Sequence, residues 1–288
     1  MFRNCSKLTS IVFSGSVTVI GGNAFQNSGL TGVTIPNSVT SIGGSSFRDC
    51  SNLKIVTIED GSVAFALNDS NTDHFTNSPI ETLYLGRNMQ HTSSVQFQNK
   101  TSLKTVTIGN EVTLINSNSF QNCTELKTLI LGNALLTIGD NAFSGCNSLE
   151  GALNFPNKLT IIRPGAFQGC SSISSVTIPN SVLTIWNGSF SDCSNLKTVT
   201  IEDGTVELDF SSFNCFLNTP IETLYLGRNI NRVQFSNNSA LETVTIGNDV
   251  TTINANSFAN CTGLQYLTLG NARWICSGCN SYCFARNH

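Results

Sequence analysis

Charged residues are scarce in this chain: Asp, Glu, Lys and Arg make up 11% of its 288 residues, against roughly 25% in an average soluble domain. The net charge is −3, so no basic surface invites nucleic acid or an anionic membrane. No apolar run approaches the roughly eighteen residues that a membrane helix needs. Histidine occurs only as His74, His91 and His288, and GxSxG, HExxH and a phosphate-binding glycine loop are all missing. Neither a catalytic constellation nor a cofactor is expected. Proline is rare, 6 residues in all, and no proline-rich run, charge block or composition shift marks a linker, which predicts a single domain over 1–288. No secretory signal opens the chain. Met1-Phe2-Arg3-Asn4-Cys5-Ser6-Lys7-Leu8 instead has the form of 47–53, the tail of a repeat.

What the chain does have is periodicity. In LKTVTIGNEVTLINSNSFQNC, residues 103–123, apolar side chains stand at Leu103, Val106, Ile108, Val112, Ile115 and Phe120, then Cys123, and the pattern restarts at Leu126. Such a recurrence at about twenty-three residues is the signature of a solenoid. LKTVTI is β-branched and alternating, which predicts a short strand with Leu103, Val106 and Ile108 inward. Gly109 and Asn110 supply turn chemistry: glycine tolerates positive φ, and the Asn side chain can bond its own backbone. The spacing of Val112, Ile115 and Phe120 then predicts a second short extended piece and a tight turn. One unit cannot fold alone, so stacked coils must cover one another's apolar edges. Equivalent starts fall at Leu8, Leu30, Leu53, Ile80, Leu103, Leu126, Leu149, Ile173, Leu196, Ile221, Leu241 and Leu264, predicting about twelve strands paired in parallel. The open first coil also predicts end-to-end self-association.

A larger period overlies the small one. SPIETLYLGRN at 78–88 recurs as TPIETLYLGRN at 219–229, so two blocks, about 8–148 and 149–269, are related by duplication and followed by a degenerate tail at 270–288. What one block binds, the other can bind as well. The units beginning at Leu53 and Leu196 both open with VTIEDG and then run long to Pro79 and Pro220. In a solenoid, insertions map to loops on one face, where function concentrates.

Of 11 cysteines, Cys5, Cys50, Cys123, Cys146, Cys170, Cys193 and Cys261 precede the next strand's first residue by three positions. This common phase predicts a row of free thiols inside the core, packed as small hydrophobes, with Ser28 and Ala240 fitting by size. Cys276, Cys279, Cys283 and His288 form a weak candidate zinc set in the tail. Asp69-Ser70-Asn71-Thr72-Asp73 begins like a calcium loop, but His74 replaces the required glycine and Ile80 the bidentate Glu, which favours a solvated loop.

Outward strand positions form a threonine row, Thr34, Thr57, Thr107, Thr177, Thr200, Thr245 and Thr268, in which the duplicated segments place Tyr84 and Tyr225; Tyr266 lies beside it. Tyrosines on a rigid sheet make good contact residues. Arg87 and Arg228 of the same segments complete the candidate binding set. A neighbouring row, Lys54, Glu81, Lys104, Lys127 and Glu150, then Lys197, Glu222 and Glu242, is read as structural cross-strand pairing.

Units such as LTGVTIPNSVTSIGGSSFRDCSN (30–52) and ISSVTIPNSVLTIWNGSFSDCSN (173–195) closely resemble the BspA-like, or Treponema pallidum-type, leucine-rich repeat, and the resemblance covers nearly the whole chain. It implies a mostly β, right-handed leucine-rich-repeat solenoid with one parallel sheet face. It also implies display outside the cell or on its surface, and adhesion to host or matrix proteins. A structural spacer and a carbohydrate-binding module are the alternative functions.

Overall fold

The computed structural model describes residues 2–67, 74–90 and 97–271, together with the backbone of Ile275 and Cys276. The chain divides into two compact units, Met1–Leu149 and Glu150–His288. All strand pairing described within either unit is parallel, and coils succeed one another at the sequence period, as the alternating VTI pattern requires.

In the first unit the wide face is a sheet of Gly32–Ile35, Ile55–Ile58, Thr82–Leu85, Thr105–Ile108 and Thr128–Ile130. Val33, Val56, Leu83, Val106 and Leu129 lie in register, and the first four are buried. In the second unit the wide face comprises Gly151–Asn154, Ile173–Ile178, Thr198–Ile201, Thr223–Leu226, Thr243–Ile246 and Tyr266–Leu269. Two-residue strands such as Leu114–Ile115 and Thr184–Ile185 form an opposite, narrower face in each unit. These are the second extended pieces expected from the sequence, and Val112, Ile115 and Phe120 all point inward.

Eleven of the twelve expected wide-face strands form. The coil after Leu8 forms none. There Phe13 stands at a position that most other coils fill with Ile or Leu, as Phe155 does in the second unit, and its ring packs edge-on against Phe25 at 5.8 Å. Val12 is left 95% exposed.

Between the faces runs a column of phenylalanines. Phe25, Phe47, Phe75, Phe97, Phe120 and Phe143 stack at 5.2 to 5.8 Å in the first unit, and Phe167, Phe190 and Phe216 at 5.4 to 5.5 Å in the second. Each fully buried ring contributes about 2–3 kcal/mol, which ties the stacked coils to one another within each unit.

The cysteine row has a role that its size alone does not explain. Cys50, Cys123, Cys146, Cys193 and Cys261 donate their S–H to the backbone carbonyls of Phe25, Phe97, Phe120, Phe167 and Phe235 respectively, one coil back. Where cysteine is absent, other donors reach the corresponding carbonyl. Ser78 donates to Phe47 at 2.6 Å, Lys100 to Phe75 and Thr219 to Phe190, both at 2.7 Å. The row is a donor ladder, and size is secondary. Burial pushes the Cys123, Cys193 and Cys215 thiols up to about 12 and Cys146 well above its ordinary value. Cys5 departs from the expectation of a buried row, being exposed, and Cys261 is half-buried.

The turn chemistry also differs from expectation. Positive φ falls just before the donor ladder, at Asn27, Asp49, Asn122, Asp192 and Asn260 among others, residue types that tolerate the left-handed region. Their side chains bond between coils, as from Asn122 to Asn99 at 3.0 Å. Asn110 accepts from the backbone of Asn133 one coil on, at 2.9 Å, and not from its own turn. Gly109 is not a positive-φ residue; it is required by close approach, as shown below.

Candidate functional site

Each duplicated segment builds the same constellation on the wide face. Tyr84 pairs in register between Thr57 and Thr107, and Tyr225 between Thr200 and Thr245. Each ring therefore rises from a row of threonines. The Tyr84 hydroxyl donates to Asp60 Oδ1 at 2.7 Å, and Tyr225 to Asp203 Oδ1 at the same distance. These aspartates belong to the repeated VTIEDG segments. The hydrogen bond, reinforced by desolvation, raises both phenols to about 12. At neutral pH each tyrosine is a neutral donor held in one orientation.

The next coil contributes a glycine that makes room for this pair. A Cβ on Gly109 would lie 2.6 Å from Asp60 Oδ1 and 2.9 Å from the Tyr84 hydroxyl, and one on Gly247 would lie 2.5 and 2.9 Å from Asp203 and Tyr225. Any other residue would drive the pair apart.

Arg87 and Arg228 do not reach solvent. Both are fully buried. Arg87 donates through Nη1 and Nη2 to the carbonyls of Asn37 and Pro36, and Arg228 to those of Asn180 and Pro179, all at 2.9 Å. Burial lowers both guanidinium pKa values, opposed by Glu59 and Glu202. The same glutamates accept from the backbone N–H of Asn37 and Asn180 at 3.1 Å. The arginines read from the sequence as contact residues are thus internal forks that reach across the long coil and fasten their own coil to the one two coils back. Tyr266 is 65% exposed and pairs with Thr243, one row away from Tyr225.

The charged row behaves as cross-strand pairing. Glu81 bridges Lys54 at 2.8 Å and Lys104 at 2.9 Å. Hydrogen bonds from these two lysines hold its carboxyl down at about 2. Glu222 pairs with Lys197.

Sequence reasoning missed Asp60 and Asp203, although the exact repetition of VTIEDG at the start of both long coils was the available signal. It also missed a feature of the second unit's narrow face. Arg163 lies over the Trp186 ring at 5.9 Å and Arg232 over Phe213 at 5.3 Å. Cys279, Cys283 and His288 of the candidate zinc set, the side chain of Cys276, and the calcium-like run Asp69–Asp73 lie outside the described residues. Among the described residues, no group of three or more metal-ligating side chains comes together, and no helix is long and apolar enough to cross a membrane.

Comparison with solved structures shows the fold. A leucine-rich repeat protein from Bacteroides ovatus is 24% identical, with a TM-score of 0.51, over 90% of this chain and 66% of that one. The chain thus spans just under two thirds of that relative. A leucine-rich cell surface protein from Faecalibacterium prausnitzii is 23% identical, with a TM-score of 0.35, over 91% of this chain and 86% of that one. The T. pallidum leucine-rich repeat protein is 23% identical, with a TM-score of 0.41, over 74% and 77%. A search of curated proteins returned no match. The BspA type leucine rich repeat region matches in 6 copies across residues 1–101, 23–150, 91–217 and 160–288. With that match extending from one end of the sequence to the other, the chain belongs to the BspA-type leucine-rich repeat family.

Proposed function

We propose that the chain is a non-enzymatic binding scaffold, displayed outside the cell or on its surface, which adheres to host or matrix proteins through its wide sheet face and long coils. In this reading the two duplicated blocks act as one repeat domain. Family membership supports a repeat scaffold, and such repeats are interaction modules. The observation that carries the reading is the duplicated Tyr–Asp pair, with the same 2.7 Å hydrogen bond in both units. A tyrosine already locked in place loses little rotamer entropy on binding and offers both apolar area and a polar tip. Tyr266 adds a more exposed ring in the second unit.

The test is surface plasmon resonance of the purified chain over immobilised fibronectin and fibrinogen. Saturable binding is expected, weakened about tenfold or more in Tyr84→Ala/Tyr225→Ala, as for hot-spot truncations of about 1.4 kcal/mol or more. A folded, monodisperse chain that binds neither protein refutes the matrix-adhesin reading and leaves a structural spacer or a carbohydrate-binding module.

A further inference from the structure

The second unit contains a cleft of about 800 Å³, away from the tyrosine sites. Its origin is a mismatch of coil lengths. The coil from Ile221 to Leu241 runs 20 residues, whereas its counterpart from Ile80 to Leu103 runs 23. After the shared IETLYLGRN, the first block reads MQHTSSVQF and the second INRVQF. Ile230 and Phe235 still reach the core, so the deletion shortens the outer turn between them. The preceding coil, from Leu196 to Ile221, is long, and its turn forms one wall of the notch. Ala255 and Asn256 of the following coil contribute the other.

Among the described residues, no ionisable one lines this cleft. Its polar groups are amides and hydroxyls, and an amide presents donors and an acceptor side by side. Asn214, Ser236 and Asn256 make no side-chain hydrogen bond to the described residues, so they are free to engage a ligand. Others are fixed: Gln234 donates to the Ser212 carbonyl at 2.6 Å and accepts from the Cys215 N–H at 3.3 Å. On the wall, Phe213 is 62% exposed, with the Arg232 guanidinium over its ring.

The cation beside the cleft, Arg232, is engaged over one face of the Phe213 ring, so an anionic ligand finds no cation among the described lining residues, and a cationic one no carboxylate. An extended peptide would need a free strand edge for backbone pairing, but the walls at 211–218 and 236–240 are bends and turns. A pyranose fits better, because its apolar C–H face can lie on an aromatic ring while its hydroxyls, each a donor and an acceptor, pair with neutral amides. We propose that this cleft binds a neutral oligosaccharide, with Phe213 as the stacking platform and Asn214, Ser236 and Asn256 as hydrogen-bonding partners. The site is independent of the protein-adhesion reading and survives its failure.

The experiment is calorimetric titration of the intact chain with short neutral oligosaccharides of hexose and N-acetylhexosamine, with amide NMR shifts as a map. Saturable binding by at least one is expected, with shifts at Asn214 and Asn256. Phe213→Ala should weaken it about tenfold, a loss of about 1.4 kcal/mol, and Asn214→Asp should weaken it as well. Phe213 is exposed, so its truncation leaves the core intact. Tyr84→Ala/Tyr225→Ala should bind the sugar unchanged. Binding that neither cleft variant weakens overturns the proposal, as does a folded chain that binds no member of the panel at millimolar concentration. A peptide that occupies the cleft while no glycan does overturns it in favour of protein recognition.

Discussion

Around Tyr84 the first unit holds Asp60, Gly109, Glu59 and the buried fork of Arg87; around Tyr225 the second holds Asp203, Gly247, Glu202 and Arg228, with the corresponding Tyr–Asp, Arg–carbonyl and Glu–amide hydrogen-bond distances equal. On the narrow face the copies diverge. Where the first unit has Gly21 and Gly43 after its short strands, the second has Arg163 and Trp186, and further on Phe213, Arg232 and a shortened coil; Asn116 and Asn254, which bond the carbonyls of Met89 and Ile230, are shared. The two copies therefore share the side chains that satisfy a specific partner inside their own unit. They differ where side chains meet water and a neighbouring coil does not dictate the choice. A shared feature on the surface, such as the Tyr–Asp pair, stands out against that background.

The strongest way to break this comparison is to remove the forks. Arg87→Ala and Arg228→Ala each strand two carbonyls that the buried guanidinium now satisfies, and charge-assisted bonds of this kind make a loss of roughly 3 kcal/mol the expected outcome in denaturant unfolding. Lysine should not restore it, because a point charge cannot reach both oxygens. Similar losses at the two positions uphold their equivalence; a silent substitution at either one ends it.

A smaller effect is expected in the donor ladder. Cys123→Ala leaves the Phe97 carbonyl without the S–H partner that now lies 3.0 Å away, at about 1–2 kcal/mol. Cys123→Ser keeps a donor and should lose less, as Ser78 already illustrates in its own coil. If serine proves worse than alanine, the row is set by size after all.

Tyrosine titration sharpens the comparison further. With their folded pKa raised from 10.0 to about 12, Tyr84 and Tyr225 favour the folded state fully below pH 10, and that contribution is lost as pH rises toward 12. Ultraviolet absorbance should show both ionising late in the native protein. Asp60→Asn should advance Tyr84 alone, and Asp203→Asn Tyr225 alone.

The smallest effect lies in the charged row, where the units differ. Glu81 sits between two lysines, whereas Glu222 has Lys197 on one side and Glu242 on the other. With its carboxyl lowered from 4.5 to about 2, Glu81 supports folding above pH 4.5 and loses that support as pH falls toward 2. Carboxyl NMR titration of Lys104→Glu should move Glu81 back toward 4.5, and salt should do the same to a lesser degree.

The coil period, the inward Val, Ile and Phe positions and the duplication were legible because a solenoid repeats its core contacts at a fixed spacing, so one pattern is printed many times. The donor ladder was half legible. Cysteine recurred in phase, but Lys100 and Thr219 share its role while differing in size and spacing, and only the carbonyl they reach unites them. Arg87 and Arg228 were misplaced for a related reason: their partners lie 48 to 51 residues earlier, two coils back, beyond the reach of a single-period reading. Tyr84 and Tyr225 were found as breaks in the threonine row, whereas Asp60 and Asp203 stand just past their strands, outside the coil pattern, and are marked only by the repetition of VTIEDG.

The central claim is that the duplicated Tyr–Asp pairs are two equivalent contact sites. It is tested most directly by Tyr84→Ala, Tyr225→Ala and the double variant, side by side over immobilised fibronectin and fibrinogen. The account predicts comparable partial losses for the single variants and a much larger loss for the double, all in folded chains. Full wild-type binding by the double variant would contradict it, as would a loss that arises entirely from one of the two tyrosines.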